Sequence, residues 1–208
     1  MLTASLAIHP LTPDRWDDLV GLFGPERGAN SGCWCLWPFL RGRDWNAMSR
    51  DERRDGLRDR TETGPAPGLL VYDGSVAAGW VAVGPRAQYI RFQMAKTSMP
   101  LDTDPAEGPA NPYAIPCFYI RSAYRKRGLM PVLARAAVDH ATALGADAVD
   151  ACPIDPDKPL TWGEGFVGIA SVFGRLGFEE IARRSPKRPL MRLDLRPARR
   201  AGEGIRTG

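Results

Sequence analysis

A strand, a glycine turn and a helix share residues 118–145 of this chain, and no other segment constrains the fold as much. Phe118-Tyr119-Ile120 is a short apolar, aromatic run suited to a strand. The basic turn Arg125-Lys126-Arg127-Gly128 follows, and Pro131 opens an amphipathic stretch that stops before Gly145. A strand-turn-helix junction aims several backbone N–H groups and the positive end of a helix dipole at one spot. Three adjacent basic side chains make that spot more positive. The expected ligand is a pyrophosphate or polyphosphate.

Spacing narrows the choice. The P-loop pattern and the dinucleotide G-x-G-x-x-G pattern are both absent. Arg125-x-x-Gly128 after a strand resembles the R/Q-x-x-G-x-G/A turn of the GNAT acyltransferases, although Met130 stands where a small residue is usual. Downstream, Gly177-Phe178 and the strand after it resemble the close of the same superfamily. The segments GCWCLWP (32–38), GWVAVGPR (79–86) and RRSPKRPLMRL (183–193) resemble one bacterial subgroup. The likeness runs over roughly residues 5–195.

That resemblance implies an α/β fold: a mixed, mostly antiparallel sheet flanked by helices, with a splayed strand pair holding coenzyme A. It implies acetyl-CoA as co-substrate, no metal, and an amine acceptor on a small molecule or a protein. The backbone N–H groups of Arg127, Gly128, Leu129 and Met130 are then expected on the pyrophosphate, with Arg125 and Lys126 as charge partners. The pantetheine arm is expected along Phe118, Tyr119 and Ile120.

Composition agrees with one globular unit. The chain has 208 residues, 44% hydrophobic and 25% charged. No apolar run reaches the roughly 18 residues of a membrane span, and no signal segment opens the chain. Four cysteines without a disulfide-like pattern suit a reducing cytoplasm. The net charge of +4 is concentrated at 121–127, at 183–192 and in the tail. A cofactor-phosphate patch and a solvated tail explain it better than a nucleic-acid face. Residues 1–195 are expected as one acetyltransferase domain and 196–208 as a basic, disordered tail. The chain is expected as a monomer or homodimer, without membrane or nucleic-acid partners.

Local signals mark further elements. Thr12-Pro13 opens a helix to about Phe23, and Ser49-x-x-Glu52 is a capping box for a charged, exposed helix. Asp73-Gly74 closes a hairpin. Residues 95–112 read as a long loop and 113–120 as a strand. A strand after Gly145, a helix at 170–176 and strands at 179–184 and 190–195 complete a mixed sheet.

Acyl transfer to an amine needs the donor held, a proton removed, the carbonyl oxygen stabilised and the thiolate released. Asp150, on the strand after the cofactor helix, is the expected base, with Asp155 and Glu164 as other acids nearby. In the resembling family a tyrosine often stands four residues before the glycine of Gly-Phe as the acid. Here that residue is Phe173, so Tyr119 or Tyr113 is the substitute, or water completes the step. Trp34, Trp37 and Trp45 fall within a dozen residues and are expected to wall the acceptor site. Cys33-x-Cys35 has the wrong spacing for a zinc pair. The alternative reading is a non-catalytic acyl-CoA-binding or regulatory domain on the same fold.

Overall fold

The computed structural model describes residues 6–101, 108–160 and 164–196. Seven strands form one sheet: β1 (Leu6–Pro10), β2 (Gly68–Asp73), β3 (Val76–Pro85), β4 (Pro112–Ile120), β5 (Ala148–Ala151), β6 (Glu179–Arg183) and β7 (Pro189–Asp194). Their order is β1-β2-β3-β4-β5-β7-β6. Only β4 and β5 are parallel; every other neighbouring pair is antiparallel. The expected mixed, mostly antiparallel sheet is present. The tail beyond Arg196 lies outside the described residues.

Helices cover both faces, because the strands alternate apolar side chains to two cores. On one face α5 (Leu129–Ala143) buries Leu133, Ala134, Ala137, Val138 and Ala141 against the sheet, and α6 (Ala170–Arg175) adds Val172 and Phe173. Full burial of each large aliphatic side chain contributes about 1.5–3 kcal/mol. The other face carries α1 (Trp16–Phe23), with Trp16, Leu19, Leu22 and Phe23 buried, and the aromatic segment after it.

The helix from Ser49 is α3 (Arg50–Thr63). Its capping box is closed: Ser49 N–H donates to Glu52 at 2.6 Å, and Glu52 N–H donates to Ser49 Oγ at 3.2 Å. Leu57 and Thr61 tie this charged helix to the core. Thr12 departs from expectation. A 3-10 turn, Pro13–Arg15, precedes α1, and the Thr12 hydroxyl accepts from Arg15 at 2.8 Å instead of capping the backbone. Two short helices carry no sequence signal, α2 (Gly42–Ala47) and α4 (Ile90–Met94). At five or six residues they are too short for a helical period to show. No helix among the described residues is long and apolar enough to cross a membrane.

Candidate active site

The basic turn leaves a run of backbone donors unpaired at the start of a helix. After β4 a 3-10 turn, Ser122–Tyr124, leads to Lys126 at φ 60° and Gly128 at φ 84°, and α5 starts at Leu129. The N–H groups of Lys126, Arg127 and Gly128 have no backbone acceptor among the described residues. Those of Leu129 and Met130 are the first, unpaired donors of a fifteen-residue helix. Successive free N–H groups at a helix N-terminus form an anion-binding concavity. A Cβ on Gly128 would meet nothing within 4 Å, so the space above the turn is open. Lys126 and Arg127 are exposed there, and the Arg127 guanidinium lies 5.8 Å from the Tyr124 ring centroid. Arg125 does a different job: its Nε donates to the Ile120 carbonyl at 3.0 Å and braces the turn against the strand end.

Next to the turn the sheet opens. β4 pairs with β5 only from Pro112 to Ile115. Ala82 pairs with Cys117 and Gly84 with Ala114, so Ile115 and Pro116 bulge opposite Val83. Bulges bend a strand and raise its twist. Beyond the bulge β4 stays with β3, while the chain after β5 bridges from Ile154 to Ile169. Arg121 N–H donates to Ala78 on the β3 side. By the two-residue strand period, the backbone groups of Phe118 and the Ile120 N–H therefore face the gap, while the Ile120 carbonyl is taken by Arg125.

A cavity of about 590 Å³ lies at this gap, with Pro116, Cys117, Phe118 and Tyr119 along one side. Trp37 and Trp45, in edge contact at 4.9 Å, also line it. Arg53 covers Trp45 at 3.8 Å, and Arg91 covers Trp37 at 3.4 Å. Glu164 is the one carboxylate in the lining among the described residues. All four cysteines also line it. Hydrogen bonds to Cys117 and Cys33, then burial, push the Cys35 thiol well above its usual range, so it stays protonated. The Cys35 and Cys117 sulfurs are 3.4 Å apart. No metal-binding group occurs among the described residues.

Several expected site residues sit elsewhere. Asp150 is fully buried and is held by Arg86 and by Arg192, the latter at 2.7 and 2.9 Å. Burial, with Arg192 and Arg184 nearby, lowers the Arg86 guanidinium to about 10, so it remains a cation at neutral pH. A carboxylate occupied by two guanidiniums and absent from the cavity wall cannot collect a substrate proton. The expectation for Asp150 as base is corrected to a structural ion pair. Trp34 is corrected as well. Left-handed backbone at Trp34 (φ 46°) and Cys35 (φ 51°) turns its indole inward, where it stacks on Trp16 at 6.2 Å and is 1% exposed.

The remaining candidates divide between the cavity and the cores. Tyr119 lines the cavity and packs edge-on against Phe23 at 5.2 Å. Tyr113 is buried in the other core, which raises its pKa. Phe173 is fully buried between Phe118 and Phe178, at 6.1 and 5.0 Å. Asp155 is paired with Arg183 at 3.0 Å. Sequence reading missed Arg91, Phe92 and Arg188. No motif marks them; a cluster of arginines and aromatics in 86–92 is the one available signal.

Solved structures share this arrangement of elements. The chain is similar to yncA of Salmonella typhimurium, solved with its cofactor acetyl-CoA: TM-score 0.52, 15% identity, over 92% of this chain and 94% of that one. It is similar to the polyamine N-acetyltransferase of Drosophila melanogaster: TM-score 0.55, 11% identity, over 92% and 100%. The GNAT domain of S. lividans PAT gives TM-score 0.50 and 15% identity, over 90% and 89%. No family model matches the chain, and no curated protein matches it in sequence. The fold is that of the GNAT acetyltransferases, with the parallel β4–β5 pair at its splay.

Proposed function

We propose that this chain transfers an acetyl group from acetyl-CoA directly to an amine. One observation carries the reading: an open N–H cradle at the start of α5 adjoins a splayed strand that runs into a cavity. The Gly128 turn fits a pyrophosphate, because its N–H donors are unpaired and a Cβ there would meet open space. The Arg127 to Met130 N–H groups would hold the phosphates, and Lys126 and Arg127 would add charge. The Phe118 backbone and the Ile120 N–H would bond the pantetheine arm.

Bound acetyl-CoA supplies a thioester, whose acyl carbon is electrophilic and whose thiol is a workable leaving group. The Phe118 N–H faces the gap and would polarise the acyl oxygen. Trp37 and Trp45 would hold the amine close to it and exclude water. As the C–N bond forms and the C–S bond breaks, the thiolate takes a proton from Tyr119 or from water. The amine loses its proton to solvent near Glu164. Cys35 stays protonated and serves packing, which favours direct transfer over an acyl-cysteine.

The test pairs binding with turnover. Acetyl-CoA should raise the melting temperature, and thiol release should depend on added amine. No stabilisation at millimolar acetyl-CoA would reject the proposal. Stabilisation without turnover on a broad amine panel would leave an acyl-CoA-binding domain.

A further inference from the structure

We infer that the acceptor amine carries a carboxylate and that Arg91 is the group that recognises it. This rests on the cavity being the acceptor side of an acetyl-transfer site. Arg91 projects from α4 into the cavity lining, flat against Trp37 at 3.4 Å. Among the described residues it makes no ion pair and no hydrogen bond; its Nε and Nη2 are buried without partners. Its Nη1 is not among these buried atoms, and Arg91 lines the cavity. Desolvation lowers its pKa from the usual guanidinium value, but the group stays charged near neutral pH.

A half-buried cation without a counter-ion is costly, and several other arginines among the described residues have polar partners. Arg86 and Arg192 share Asp150. Arg183 has both Glu180 and Asp155. Arg53 donates to the Trp45 carbonyl at 3.0 Å. Arg91 has none of these, and it faces space large enough for a small ligand.

The rest of the wall points the same way. Arg188 lines the cavity, and its Nε and Nη2 are spent on the Pro153 and Cys152 carbonyls, which do not neutralise its charge. Among the described lining residues, two guanidiniums against the single carboxylate of Glu164 leave a net positive charge. A free amine without an anionic group would meet that field as a cation and be repelled. An amino-acid-like acceptor places its carboxylate at Arg91, its apolar part on Trp37, Trp45 and Phe92, and its amine toward the splay. The positive lining also favours the neutral, nucleophilic form of that amine.

The experiment uses neutral twins on the full chain. The N-acetyl derivatives of glycine, leucine and phenylalanine, and the corresponding N-acetyl amides, are titrated calorimetrically without coenzyme A. At least one carboxylate should bind about tenfold or more tighter than its amide, since a charge-assisted bond replaces a neutral one. Arg91→Gln should erase the difference, Arg91→Lys should keep part of it, and added salt should weaken only the carboxylate. Circular dichroism and melting curves confirm that each variant is folded. Equal affinity across all twins overturns the inference, as does a preference that survives Arg91→Gln. Acetyl transfer to phenethylamine as fast as to phenylalanine, unchanged in Arg91→Gln, also overturns it while leaving the transfer reading intact. A carboxylate preference that requires Arg91, without any response to acetyl-CoA, supports the anion site and rejects the transfer reading.

Discussion

Asp150 in β5 and Arg86, at the end of β3, meet as an ion pair in the interior, with exposures of 0% and 2%. The pair ties the central strands to the segment that follows α4, because Arg86 also donates to the Ser98 carbonyl at 2.6 Å. Asp150→Asn leaves two guanidiniums without their carboxylate. It should cost about 3–5 kcal/mol of stability. Urea unfolding should show that loss, while the surviving folded fraction keeps its acetyl-CoA affinity. A large fall in turnover with full stability would instead return Asp150 to a catalytic role.

Gly128 separates conformation from charge. Gly128→Ala fits the space, but the left-handed backbone costs a Cβ-bearing residue about 1–2 kcal/mol. Acetyl-CoA at a hundred times its dissociation constant should stabilise the native chain by about 2.7 kcal/mol. Gly128→Glu should abolish that gain through bulk and negative charge at the cradle, whereas Gly128→Ala should retain most of it. Melting curves with and without acetyl-CoA distinguish the two variants.

Trp34 and Trp37 should behave as opposites. Trp34→Ala empties a core site beside Trp16 and Phe23 and should cost about 3–5 kcal/mol, impairing everything together. Trp37→Ala removes a cavity wall and the surface beneath Arg91. It should raise the acceptor KM while changing the acetyl-CoA KM little. Unfolding free energies measured beside the two Michaelis constants show whether the pair divides this way.

Phe173 and Tyr119 test the proton source. A hydroxyl added by Phe173→Tyr would enter a fully buried ring cluster and should cost about 1–3 kcal/mol if it finds no partner. It should not accelerate transfer. Tyr119→Phe should lower kcat by at least about tenfold if the phenol protonates the thiolate. An unchanged kcat would assign that proton to water.

Features decided by near neighbours were legible in the chain. The Asp73-Gly74 hairpin, the Ser49–Glu52 capping box and the strand-turn-helix at 118–145 each depend on a few adjacent residues, and each is present. Alternation and helical period then placed the main strands and long helices, and the mixed sheet followed. Short elements were silent: α2 and α4 are under two turns long, so neither shows a period, yet α4 carries Arg91 and Phe92 into the cavity.

What a side chain does once the sheet closes was settled only by tertiary contacts. Asp150 looked like a free strand carboxylate because its partner Arg86 lies 64 residues away, and nothing local announces the pair. Trp34 and Trp37 are three residues apart in a segment of left-handed backbone, where spacing no longer assigns a face. The chain by itself determined a strand-turn-helix with a basic glycine turn on a mixed sheet. Folding alone decided which tryptophans face the cavity, which acid is buried with its arginines, and that Arg91 has no polar partner among the described residues. Those outcomes depend on long-range packing and desolvation, which no short stretch of sequence encodes.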